Sequence, residues 1–348
     1  KAATDDVADI ENMGEIDASR GFSIFHLTFL SMSKFQTDAF KANSDDTQPF
    51  GSALRQVSLM AFPPKADAVG GAAALFGTEG YDYWKGRRRE LKEKLGLAFQ
   101  NLKKFSCKYN ALFEELGIIA SSRTSGRLSF PVYVYCNLIS GGGINTLTLL
   151  LQMAGYTEYG SSGTSGSKSY IVLTGSNKPD ITVFNSRENA SGDICPIIIG
   201  SQASSEGYTF NNIKKEIVLT PFWNNVEISQ ALARGVRIGS HADSPGTVVQ
   251  IIKYVAEPMG DALGYDRRMY LKAEEKFINN GHLEEIVMNN AVDCALNYDW
   301  NSKGPDGPDG PDGPDGSGDK NVCKMGKSAI VDAQLEQNKY KVDNQRLD

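Results

Sequence analysis

The residues best suited to chemistry lie in one stretch, PFWNNVEISQALARGVRIGSH, at 221–241. Gln230, Arg234 and Arg237 fall at i, i+4 and i+7. If 225–237 is a helix, that spacing puts all three on one face. Two guanidiniums projecting together make a planar, permanently charged fork for phosphate oxygens. A lone Arg-x-x-Arg pair is ordinarily a solvated helix face. Here an apolar strand and a Trp-containing turn precede the helix. Its first residues therefore lie near a strand's carboxyl edge, where α/β proteins bind ligands.

Two further segments join a strand to a turn. In FPVYVYCNLISGGGI (130–144) a β-rich run leads through Asn137 to Gly141, Gly142 and Gly143 and then to a helix. Backbone N–H groups at such a helix start are a natural seat for a phosphate. In IIIGSQASSEGYTF (197–210) a strand leads to Ser201 and to a turn holding Glu206, Gly207 and Thr209. Taken alone, that segment is a plain β-turn.

The elements that must carry these residues are legible as a pattern. Short apolar runs at 131–138, 170–175, 196–201, 216–221 and 248–256 alternate with helical stretches at 144–156 and 225–237. That alternation predicts α/β architecture, a parallel sheet with helices on both faces. Before it, HLTFLSMS suits a strand, SKFQTDAFKAN a helix capped by Ser33, and 69–84 an irregular stretch. Leu91, Leu95, Phe99, Leu102, Phe105, Tyr109, Leu112 and Leu116 recur every three or four positions and predict helix across 87–118. After the sheet, two helices are expected at about 265–279 and 281–291, then a GPD repeat at 304–316 acting as an extended linker. The expected organisation is a flexible lead-in (1–20), a mostly helical segment (21–120), the α/β lobe (121–260), a helical extension (261–300), and a linker with a polar tail (301–348).

Composition narrows the function. The 348 residues carry a net charge of −6, which argues against a compact domain that binds nucleic acid by bulk charge but leaves room for a local groove. Five cysteines without a C-x-x-C pair argue against a disulfide framework and for a reducing, intracellular setting. Three scattered histidines give no metal signature, so no metal site is expected in this chain. No apolar run is long enough for a membrane span. A nucleotide-hydrolysing centre needs a G-x-x-x-x-G-K-[ST] loop and an acidic pair. Gly326-Lys327-Ser328 lacks the first glycine, since Asn321 occupies that position, and no apolar strand precedes it. The chain alone is not expected to hydrolyse ATP.

The 221–241 stretch resembles motif VI of superfamily 2 helicases, Q-x-x-G-R-x-x-R, with Ala233 where the family has Gly. The P-x-W-N before it and the Ser-His after it are similar to helicases and transcription ATPases of large DNA viruses, of the poxvirus, asfarvirus and mimivirus kind. The segments at 130–144 and 197–210 resemble motifs IV and V in the required order, and 271–297 resembles the helical extension of the same viral group. The resemblance covers about 30–300 and implies the second RecA-like lobe of a motor, without the lobe that grips the nucleotide. It implies that Arg234 and Arg237, with Gln230, reach the γ-phosphate of ATP with Mg²⁺, which is held mainly by an absent N-terminal RecA-like lobe. It places Glu206, Gly207 and Thr209 by the nucleotide. Asn137, Gly141, Gly142, Gly143 and Ser201 would lie along a nucleic acid, DNA ahead of RNA. It also implies a location in the virion or host cytoplasm. Two other outputs stay open: an early-transcription ATPase subunit that partners RNA polymerase or another transcription factor subunit, and a binding module that has lost its motor. An unrelated α/β enzyme is the remaining alternative.

Overall fold

A computed structural model of the chain describes residues 22–43, 52–67, 73–120, 128, 130–160, 168–205, 207–244 and 246–289. The lead-in at 1–20, Glu206, the GPD repeat and the tail lie outside the described residues.

The apolar runs become strands, and the central ones at 132–135, 169–173 and 197–200 are buried on both sides. The strands are β1 (Phe22–Ser31), β2 (Val132–Tyr135), β3 (Thr157–Glu158), β4 (Ser169–Leu173), β5 (Ile197–Gly200), β6 (Lys215–Val218) and β7 (Val248–Glu257). They form one sheet in the order β1-β7-β6-β2-β5-β4-β3, with every pairing parallel. Successive side chains of a strand point to opposite faces, and two cores result. Val132, Val134, Ile197, Ile199 and Ile217 face one. Tyr133, Tyr135, Ile198, Val218 and Ile251 face the other. This is the expected RecA-like α/β architecture, with helices on both faces.

The first core is covered by α4 (Arg88–Leu95), α5 (Leu102–Phe105), α6 (Cys107–Glu115) and α7 (Ile144–Met153). The second is covered by α8 (Asn225–Leu232) through Ile228, Ala231 and Leu232. A third, smaller cluster joins α1 (Lys34–Ala42) and α2 (Ser52–Leu59) to Ala256 at the end of β7. Ser33 caps α1 as expected, its Oγ accepting the Gln36 N–H at 3.0 Å.

Four expectations are corrected. The stretch 87–118 is three helices. Gly96, at φ +84°, turns the chain out of α4, and Ser106, in extended conformation, caps α6 by accepting the Tyr109 N–H. The stretch expected to be irregular contains α3 (Gly77–Lys85), whose Trp84 is buried in the first core and donates to Pro63 O. The helix expected at 225–237 ends at Leu232. The two helices expected after the sheet are one, α9 (Tyr265–Asn289). Gly281 sits inside it, a cost of about 1 kcal/mol against Ala that its helix-forming neighbours offset.

The first compact unit ends at Tyr270, and a second begins at Leu271, of which the remainder of α9 is described. Within the first unit, fully buried Lys108 on α6 pairs with Asp266 at 2.6 Å and donates to Leu219 O, just past β6. Asp266 also accepts the N–H of Ala256 in β7. No helix among the described residues is long and apolar enough to cross a membrane.

Candidate functional site

The carboxyl edge of the sheet gathers the loops after β2, β5 and β6. Leaving β2, Cys136 donates its N–H to Gly200 O, and Asn137 donates its N–H to Thr220 Oγ1 at 2.8 Å. The side chain of Asn137 is half-buried at this edge. Ser201, directly after β5, is buried; its N–H donates to Leu173 O and its carbonyl accepts from Ser204.

The glycine turn differs from expectation. Gly141, Gly142 and Gly143 are buried, and the donors of Gly142 and Gly143 are engaged within the chain. Gly142 N–H donates to Gln56 Oε1 at 2.7 Å, Gly143 N–H to Ser140 O, Ile144 N–H to Leu138 O, and Asn145 N–H to Ile139 O. The glycines are there for close packing. A Cβ on Gly141 would sit 2.7 Å from Gln56 Oε1 and from the Gly77 carbonyl carbon, and one on Gly143 would sit 1.9 Å from Leu138 O. The Tyr109 hydroxyl closes the turn by donating to Gly142 O. An open seat of free N–H groups is therefore not what this turn provides.

The motif VI residues also sit differently. Asn224 caps α8, its Oδ1 accepting the Glu227 N–H at 3.0 Å. The helix stops because the chain must pass over β6 at Gly235, where a Cβ would lie 2.1 Å from Glu216 Oε1 and 3.5 Å from Ile213 Cβ. Arg234 and Arg237 thus leave the helix on a turn, and only Gln230 remains on α8, exposed to solvent. The turn brings both arginines to the strand-to-turn segment. Arg237 Nη1 donates to Thr209 Oγ1 at 3.3 Å, Arg234 Nη1 donates weakly to Tyr208 O at 3.4 Å, and Arg234 O accepts the Phe210 N–H. Thr209 O is held in turn by Asn185 Nδ2. Gly207, exposed at φ +77°, supplies the left-handed corner that starts this segment. Arg237 is exposed and Arg234 half-buried.

The candidate residues therefore form two groups. A parallel crossover returns its helix against the strand direction, and the eight residues of α8 span about 12 Å. Arg234, Arg237 and Thr209 lie towards the far end of that helix from Asn137, Ser201 and the glycine turn. The first group fits phosphate oxygens. Among the described residues there is no cluster of three or more His, Cys, Asp or Glu that could hold a metal.

Several residues at these sites carry no sequence motif. Glu216 on β6 is fully buried, with neither oxygen hydrogen-bonded to a described residue. Burial pushes its carboxyl well above the ordinary range. An acid inside an apolar strand was the available signal. Tyr133, also buried, bonds to Ser204 Oγ at 2.7 Å. At the carboxyl edge Glu227 accepts from Tyr135 Oη at 3.1 Å and Gln202 Nε2 at 3.2 Å, and burial raises its carboxyl too. His241 is a buried local anchor, as its lack of neighbouring ligands suggested. Its Nε2 faces Ile213 O at 2.7 Å and its Nδ1 faces Ser240 Oγ at 2.9 Å, and burial lowers its pKa. Trp223, in the turn before α8, is 43% exposed and meets Phe222 edge-on.

No family model matches the sequence. The chain is 33% identical over 297 residues to "Putative helicase 087L" of Invertebrate iridescent virus 3, covering 80% of this chain and 29% of that protein. It is 31% identical over 309 residues to "Putative helicase 009L" of Frog virus 3 (isolate Goorha), covering 85% and 30%. A protein of Acanthamoeba polyphaga mimivirus named "Putative ATP-dependent RNA helicase" is 26% identical over 249 residues, covering 58% and 21%. The resemblance to helicases of large DNA viruses thus holds along most of this chain, which spans under a third of each relative's length.

Proposed function

We propose that the chain is the second RecA-like lobe of an ATP-dependent helicase or translocase. The observation that carries this reading is the convergence of Arg234 and Arg237 on the Tyr208–Thr209 segment, in a chain whose relatives are named helicases. Bound ATP supplies the phosphoanhydride whose cleavage drives movement. Arg237, exposed and only loosely bonded to Thr209, can turn outward to a γ-phosphate presented by a facing lobe. Arg234, tied to the Tyr208 and Phe210 backbone, fixes the turn from which Arg237 projects and adds a second positive charge. Guanidiniums aimed at charge that develops in the transition state act without reorganising, and such a residue is worth about 10³–10⁵ in rate. Asn137 and Ser201, at the carboxyl edge, belong to the nucleic-acid track in this reading, with DNA ahead of RNA. Contacts to backbone phosphate there carry no sequence preference.

The test is ATPase turnover of the full-length polypeptide with and without single-stranded nucleic acid. Arg237→Ala should lower the stimulated kcat by about 10³-fold or more, and Arg237→Lys should recover little, because a point charge does not reproduce the fork. A stimulated rate unchanged in Arg237→Ala would refute the arginine's role.

A further inference from the structure

The Gly142 and Gly143 donors of the glycine turn are taken within the chain, so a phosphate grip at the carboxyl edge calls on side chains as well. One guanidinium is placed for it. Arg55 lies within α2, between Leu54 and Val57 of the small core and beside Gln56, which holds the Gly142 N–H. Those contacts fix α2 against the glycine turn. Arg55 then lies within electrostatic reach of Cys136, directly after β2, of Glu227 in the first turn of α8, and of Tyr265 past β7. The groups that feel its charge thus include one acid, one thiol and one phenol, with Lys108 also acting on Cys136 and Asp266 and Arg268 on Tyr265.

Arg55 Nε is buried without a hydrogen-bond partner. Among the described residues the guanidinium has neither a hydrogen bond nor an ion pair. The acid near it, Glu227, accepts from Tyr135 and Gln202 instead. Arg55 is half-buried, and its desolvated Nε leaves a fork that an anion can complete; the anion that suits that planar fork is a phosphate or carboxylate.

We propose that Arg55 is a backbone-phosphate contact for single-stranded nucleic acid at the carboxyl edge of the sheet, beside Asn137. This rests on the second-lobe reading, which supplies the strand. A nucleotide phosphate has the same chemistry, but the arginines suited to a nucleotide lie towards the other end of α8, so the position of Arg55 favours the strand.

The experiment is fluorescence anisotropy of labelled oligothymidylate and oligouridylate, about 20 nucleotides long, with the full-length polypeptide across a salt series. Arg55→Gln should weaken binding several-fold and reduce the slope of log K against log[salt] by about 0.7, the value for one phosphate contact on a single strand. Arg55→Lys, which keeps the charge, should retain the slope. The slope reports only molecules that bind, so partial misfolding cannot imitate its loss. Binding by wild type with an unchanged slope in Arg55→Gln would overturn the assignment while leaving the second-lobe reading intact. An unchanged slope with a raised KM for ATP would move Arg55 to the nucleotide and likewise overturn it. Failure of wild type to bind either oligonucleotide would sink both readings.

Discussion

Glu216 shows what one misplaced-looking side chain can do. Its carboxyl is fully buried beside the Gly235 turn, so the neutral acid is the form that fits. A folded-state pKa above the unfolded value means that the folded chain holds the proton more tightly. The stability Glu216 contributes is therefore full below its unfolded pKa of about 4.3 and is lost as pH rises towards the folded value. Glu216→Gln keeps the shape and cannot ionise. Its urea midpoint relative to wild type should rise between pH 5 and pH 8. Burial lowers the pKa of His241 as well, but that imidazole is present in both proteins and cancels in the difference. An equal difference at the two pH values would show that the buried acid is not held neutral.

Among the elements, the loop between β2 and α7 depends most on partners distant in sequence. Gly142 is served by Gln56 on α2, and the turn is closed by Tyr109 on α6. Gln56→Ala should leave a buried N–H without its acceptor and cost about 1–3 kcal/mol, read as a fall in the urea midpoint. A loss within error would mean that water replaces the glutamine. The same dependence explains what could be read from the residues alone. VYVY, SYIVL and IIIG were legible as strands because a parallel strand covered on both faces is a continuous apolar run, and Ser33 was legible as a cap because capping is local. Arg234, Arg237 and Thr209 stood out by spacing and by the order of segments. The end of α8 at Leu232 was not legible, because it is set by Gly235 passing over Glu216, a contact between elements. Arg55 and the engaged donors of the glycine turn were hidden for the same reason: nothing near them in sequence announces their partners.

Across the whole first unit, the buried pair of Lys108 and Asp266 ties α6 to the ends of β6 and β7 and to the start of α9. Lys108→Met should cost about 3–5 kcal/mol, because it strands a buried carboxylate, and adding Asp266→Leu should return most of that loss. Denaturant unfolding of the single and double variants checks this; equal loss in both would mean that packing around the lysine stem matters more than charge. The sheet carries another consequence. β1 finds its neighbour only in β7, with Phe22 opposite Val248 and Ser31 opposite Glu257. During synthesis at about 5–20 residues per second, β1 leaves the ribosome and waits roughly 10–45 s for that partner to be made. For that interval its Phe-, Leu- and Ile-bearing edge is a template open to other chains. The order in which the strands are made thus adds an exposure that the finished packing does not show, and slowing the ribosome between β1 and β7 would lengthen it without altering a single contact of the finished fold.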